Sequence, residues 1–176
     1  MSDFFDEKNN TIYLLTSKLG EHHFGMIATW VCMASLRTDE IRFTLSLSKF
    51  NDSCESIMKT GKFLIHKFPK SEYRTAYRFG SNHSKKIDKF FEDDFEIHSS
   101  GLKLFKRATK FGYAEMINTM DTEDRFILYC RLIQICNFKN QDTLKQKDLF
   151  ELVTEEERSN LSSKYQNDSQ RDTPSK

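Results

Sequence analysis

A mostly antiparallel β protein, closed into a barrel with helices inserted at one side, is the fold class that this 176-residue sequence predicts. Three observations carry the prediction. Ile41, Phe43, Leu45 and Leu47 alternate with Arg42, Thr44, Ser46 and Ser48, the period-2 pattern of a strand with one buried and one wetter face. Residues 101–138 form a second β-type block, with the turn-forming Asp121-Thr122-Glu123-Asp124 between two long apolar segments. Helix-type signals are confined to the stretches between these blocks and to the C-terminal end.

Taken in order, Ile12-Tyr13-Leu14-Leu15 reads as a short strand and Lys18-Leu19-Gly20-Glu21 as the turn after it. Residues 24–36 are dominated by apolar and small side chains. Gly25 and Ala28 argue against a simple amphipathic helix there, and the run reads as one central strand. The alternating strand ends in Lys49-Phe50-Asn51-Asp52-Ser53, and a helix follows to Thr60. Asp52 or Ser53 can cap it, and Gly61 fits the left-handed position after its end. Phe63-Leu64-Ile65 is the next strand. Residues 70–91 read as one or two helices broken around Gly80-Ser81-Asn82, and residues 102–105, 111–120 and 125–138 as strands. Residues 147–157 read as a terminal helix closing a domain of residues 1–157. Beyond it, residues 158–176 hold only Leu161 and Tyr165 as large apolar side chains. Such a segment cannot offset its ordering entropy by burial, so a disordered polar tail is expected.

Charge narrows the function. Lysine and arginine number 27 against 26 acidic residues, a net charge of +1, which speaks against nucleic acid and anionic membrane surfaces as partners. No apolar run approaches the roughly 18 residues of a membrane span. The acidic start of the chain does not read as a secretory or transit peptide. Cys32, Cys54, Cys130 and Cys136 show no CxxC spacing and read as reduced, mostly structural thiols of a cytoplasmic protein. The six glycines form neither G-x-G-x-x-G nor a Walker pattern, which argues against a Rossmann dehydrogenase or P-loop enzyme.

The strongest constellation joins the two central strands to the helix after the second. Helix N-termini attract phosphates through free N–H groups and the macrodipole. Ser46, Ser48, Lys49, Asn51 and Ser53 place hydroxyls, an ammonium and an amide at such an end, while Ile27, Ala28, Thr29 and Trp30 could offer backbone groups and a flat surface to a ring system. Polar strand-to-helix turns also cap helices without binding anything, and Asp52 opposes a phosphate if it points into the site. Taken by itself, Trp30 reads more readily as core or interface filler than as a wall for a ring, and Lys85, Lys86 and Lys89 read as a solvated helical face. His22 and His23 are adjacent on a strand and point to opposite faces, a poor start for a metal site. His66, His83 and His98 have no evident sequence partner. Phe24, Phe43, Phe63 and Phe126 read as core, whereas Phe4, Phe5, Phe50, Phe90 and Phe91 are harder to bury in a small barrel. A dimer interface or a lid would account for them.

Gly25-Met26-Ile27-Ala28-Thr29-Trp30-Val31-Cys32-Met33-Ala34-Ser35 resembles the G-M-T-A-S/T-W-V-x-x-x-S segment of the flavin reductase-like family, the FMN-binding split barrels. Three more pieces follow in that family's order. Ser48-Lys49-Phe50-Asn51-Asp52-Ser53 is similar to its phosphate-side turn, Thr60-Gly61-Lys62-Phe63-Leu64-Ile65 to the strand after the helix, and Phe79-Gly80-Ser81 with Ile87-Asp88-Lys89-Phe90 to its G-x-x-S/D-x-D-K-F loop. The resemblance implies a six-stranded antiparallel split barrel, a homodimer, and FMN as cofactor, with FAD as the alternative. It implies that Ile27, Ala28, Thr29 and Trp30 line the flavin. Ser46, Ser48, Lys49, Asn51 and Ser53 would lie near ribityl and phosphate, and Lys89 on a loop over the cofactor. It also implies NADH or NADPH as electron donor and a flavin, a protein or oxygen as acceptor. No residue is assigned a catalytic proton. Asp39-Glu40 stands where the family has Pro-Pro, and Asp124-Arg125 replaces its Asp-His, with the glycine of that motif also missing. A flavin-storage or electron-transfer protein with little NAD(P)H turnover is therefore the second expectation. An oligonucleotide-binding barrel, disfavoured by the charge balance, is the third.

Overall fold

The computed structural model describes residues 9–82, 88–138 and 141–172. Along them run β1 (Tyr13–Leu19), β2 (His22–Ala28), β3 (Val31–Met33), β4 (Arg42–Ser48), α1 (Asp52–Thr60), β5 (Lys62–Lys67), α2 (Tyr73–Ser81), β6 (Phe95–Ile97), β7 (Lys103–Phe105), β8 (Lys110–Asp121), β9 (Arg125–Asn137), α3 (Gln146–Leu152) and α4 (Glu155–Asp172). A 3₁₀ turn, Lys70–Glu72, leads into α2. The main sheet is antiparallel in the order β2-β1-β5-β8-β9-β4-β3, and β6 and β7 pair separately.

Residues 24–36, expected as one central strand, instead form both edges of this sheet. β2 pairs with β1 at one end and β3 with β4 at the other, and only Thr29 and Trp30 join them. So short a link forces the sheet to curl until its edges meet. The Ser46 amide donates to the Trp30 carbonyl at 3.1 Å and fastens the link to β4. Counted as one bent strand, β2 and β3 bring the sheet to the six strands of a split barrel. Two register shifts in the β8–β9 ladder, between Tyr113 and Ala114 and between Met116 and Asn118, add the bend that curling requires.

The alternation in β4 is obeyed: Phe43, Leu45 and Leu47 are buried, and Arg42, Thr44, Ser46 and Ser48 face outward. β1 shows no alternation, with Leu14, Leu15, Thr16 and Ser17 all buried, because both its faces are covered. Leu15 enters the barrel core with Phe43, Phe63 and Leu128, while Leu14 enters a second core beneath the helices. That second core is a chain of rings, Phe68, Phe105, Phe95, Phe90 and Phe79, with successive centroids 5.0–5.4 Å apart. Phe90 is thus core, contrary to expectation, whereas Phe50 and Phe91 are more than half exposed. Phe4, Phe5, Lys85, Lys86 and Ile87 lie outside the described residues.

His66, without an evident sequence partner, is completely buried on β5. Its Nδ1–H donates to the Leu14 carbonyl at 3.1 Å and its Nε2 accepts the Phe105 amide at 3.3 Å, so two elements are tied through one neutral ring. Burial pushes its pKa down to about 4. The four cysteines are unbridged. Burial pushes the Cys54 and Cys130 thiols up to about 11 and about 12, and Cys32, expected within an apolar run, is exposed.

The expected disordered tail is also corrected. Residues 155–172 form α4. A Thr154–Glu157 capping box starts it, with amide-to-side-chain distances of 2.9 and 3.3 Å in the two directions. Glu157 is ion-paired with Arg74 of α2, Leu161 is buried in the ring-lined core, and Lys164 Nζ donates to the Gly80 carbonyl at 2.7 Å. Composition alone misses this because only one large side chain needs burial when the rest of the docking face is polar and paired.

Candidate functional site

The outward row of β4 ends at Ser46 and Ser48, and the chain turns at once into α1 because the Asn51 amide donates back to the Ser48 carbonyl at 3.2 Å. Asn51, rather than Asp52 or Ser53, is the N-cap: its Oδ1 accepts from the Ser53 amide at 3.0 Å. Asn51→Ala is expected to cost about 1 kcal/mol, the usual worth of such a cap, and chemical denaturation would measure it. With its side chain used in this way, Asn51 shapes the turn. Ser53 is 1% exposed and its Oγ has no hydrogen-bond partner. A buried orphan hydroxyl in the first turn of a helix is an unmet donor at an electropositive end.

The β8–β9 hairpin completes this end. Glu123 adopts a left-handed φ of 68° in its turn, and Arg125 opposes Ser48 in the ladder. The Arg125 guanidinium lies 4.3 Å from the Trp30 ring centroid. Lys49 is ion-paired with Asp121 and stands 5.1 Å from the Phe126 ring. On the other side, Arg171 of α4 donates to Ser48 Oγ at 3.1 Å. Trp30, Ser46, Ser48 and Lys49 are therefore brought together, with Asn51 and Ser53 at the adjoining helix start.

The remaining expected residues separate. Ala28 is buried in the barrel core, and Ile27 faces the other way onto α2, its Cδ1 only 2.8 Å from where a Cβ on Gly80 would sit. Thr29, half-buried, occupies the link itself. Lys89 is not on an open loop. It is 2% exposed, its Nζ donates to the carbonyls of Gly25 at 2.7 Å and Asn82 at 3.1 Å, and it lies 5.0 Å from the Phe79 ring. Burial pushes its pKa down to about 7; Lys164 adds to the effect and Asp52 opposes it. Its amine fastens β2 to the end of α2. Arg171 is the residue that sequence reasoning missed, since its place depends on α4 being a helix at all.

Hydroxyls, guanidinium groups and a helix N-terminus at one end, with a tryptophan-bearing seam beside them, fit an aromatic ligand that carries a phosphate. The model of the flavin reductase like domain matches residues 7–149. The chain belongs to that family. Among curated proteins it is similar to "Putative diflavin flavoprotein A 2" of Nostoc sp. strain PCC 7120, with 25% identity over 124 residues, 69% of this chain. The chain spans only 21% of that relative's length. Among solved structures, a flavin reductase domain protein from Arthrobacter sp. FB24 superposes with a TM-score of 0.71 at 16% identity, covering 81% of this chain and 86% of its own. The FMN-binding protein of Thermus thermophilus gives 0.69 at 15% identity, covering 78% and 75%. At such identities the two structures speak for the fold, a curled antiparallel sheet with a few helices. In this flavin reductase-like chain α4 lies wholly beyond the matched residues. Among the described residues no helix is long and apolar enough to cross a membrane.

Proposed function

We propose that the chain is an FMN-binding oxidoreductase that takes electrons from NADH or NADPH and passes them to a second flavin, a protein or oxygen. The observation that supports this best is the polar end where β4 meets α1: outward Ser46 and Ser48, an Asn51-capped helix and the unpartnered Ser53 hydroxyl, with Trp30 fastened to Ser46. These groups fit FMN, whose single terminal phosphate matches one helix N-terminus better than the diphosphate of FAD does. Ser46, Ser48, Lys49 and Ser53 would hold ribityl and phosphate, with Asn51 setting the turn. Thr29 and Trp30 would flank the ring, backed by Ile27 and Ala28, and Lys89 would act at a distance by fixing β2. Bound FMN supplies the hydride and electron chemistry, and the protein's part is to align and shelter the reacting rings.

Met33, Ile117, Met120, Ile133 and Ile135, all on the sheet and all at least 46% exposed, support a homodimer through that surface. The unbridged cysteines suit a reducing compartment such as the cytoplasm.

Purified protein mixed with excess FMN and passed through gel filtration is expected to carry the flavin band at dimer size, and to bleach anaerobically with NADH or NADPH. Loss of all flavin on the column would overturn the resident-cofactor reading. One observation favours a second reading, flavin held for electron transfer or storage with little nicotinamide turnover. Arg125, at the position of the family's histidine, is stacked on Trp30. Retained FMN that neither nucleotide bleaches would select it.

A further inference from the structure

We propose that Arg171, on the helix beyond the family region, is a ligand of the flavin's terminal phosphate. The inference rests on the flavin reading above. Glu157, Leu161, Lys164, Asp168 and Arg171 recur at intervals of four, three, four and three, which puts them on one face of α4. Each makes a specific contact. Glu157 pairs with Arg74, Leu161 enters the core next to Gly80, and Lys164 reaches the Gly80 carbonyl. These three points fix the position and rotation of the helix, and the same face then arrives at the turn between β4 and α1.

There the guanidinium is oriented rather than merely near. Nη1 lies 3.3 Å from an Asp168 carboxylate oxygen, Nη2 donates to Ser48 Oγ at 3.1 Å, and the group stands 5.1 Å from the Phe50 ring. The carboxylate on one nitrogen and the aromatic ring hold the planar fork, and the other nitrogen points at the hydroxyl assigned to the phosphate end. This gives exposed Phe50 a purpose in this chain, as a platform for a cation. Ser48 Oγ also accepts the Phe50 amide at 3.4 Å, so ring, hydroxyl and guanidinium form one unit. Arg125 opposes Ser48 in the ladder, its guanidinium over Trp30 and 3.4 Å from an Asp124 carboxylate oxygen, so a second cation stands beside Ser48 on the sheet. A phosphate dianion is the chemistry that such a pair recognises.

The test is titration of full-length protein, wild type and Arg171→Gln, with FMN and with riboflavin, which lacks the phosphate, followed by flavin fluorescence. The expected result is that Arg171→Gln weakens FMN binding about ten- to a hundredfold, the worth of one hydrogen bond to a charged group. Riboflavin binding should stay within about twofold on the same grounds, and Arg171→Lys should recover part of the FMN affinity. FMN binding that is unchanged in Arg171→Gln overturns the proposal. So does an equal loss of both flavins, which would make Arg171 a structural pin of α4. Wild-type protein that binds neither flavin overturns the flavin reading itself, and the role of Arg171 falls with it.

Discussion

Gly25→Ala is expected to destabilise the protein by about 2–3 kcal/mol, the upper part of the range for overpacking a filled core. A Cβ at this position would lie 2.4 Å from Phe79 Cε1, 2.9 Å from Phe79 Cδ1 and 2.9 Å from Phe90 Cζ. These are ring atoms of the buried aromatic chain, so relief requires the rings to move together rather than one methyl to swing aside. The Gly25 carbonyl also accepts from Lys89, which resists a shift of β2. For a chain of this size the loss corresponds to a fall in Tm of roughly 5–10 °C. Gly80→Ala is the comparison: its Cβ would meet Ile27 Cδ1 at 2.8 Å, the tip of a flexible side chain, and its cost should be clearly smaller. Equal costs, measured by urea unfolding, would show that the rings yield as easily as the isoleucine. The glycine that opens the chain's strongest family motif thus has a packing reason, the close approach of two phenylalanines to a strand.

The second large effect concerns His66 and acid. Folded His66 stays neutral to about pH 4, whereas an unfolded histidine takes its proton near pH 6.5. Between those values the unfolded state binds more protons, so stability is fully present above about pH 6.5 and is lost as the pH falls toward 4. The 2.5-unit gap amounts to about 3 kcal/mol. His66→Gln is expected to cost most near neutrality, and its deficit against wild type should shrink by about that amount between pH 7 and pH 4. A deficit that is constant across this window would mean that His66 is already charged in the fold. The imidazole resonances should likewise fail to titrate above pH 5.

Much of the sheet was legible because its strands bury one face. The alternation of Phe43, Leu45 and Leu47, the turn at 121–124 and the glycine after α1 all match the structure. The break at Thr29 and Trp30 was not legible. Its apolar neighbours continue on both sides, and only the closing of the barrel tells one strand from two. Asn51 and Asp52 are both good caps in isolation, and the choice between them is made by the Ser48–Asn51 turn. At the candidate site the Ser46-to-Ser53 run was visible as a polar strand-to-helix junction. The burial of Lys89 was hidden because its partners are carbonyls 64 and 7 residues away. The contribution of α4 was hidden for a related reason: its docking face holds one buried leucine among an ion pair and hydrogen bonds, which leaves no hydrophobic period to read.

The two-residue step from one sheet edge to the other makes the half-barrel a clasp, and the chain's single tryptophan sits in it. Trp30 emission is therefore a local gauge. With Arg125 against its ring and its carbonyl bonded to Ser46, it reports whether the link between β2 and β3 is held against β4 and the start of β9, and not whether β5 and β8 are paired. Fluorescence and far-UV circular dichroism followed in the same denaturant series would separate an unlatched sheet from an unfolded one.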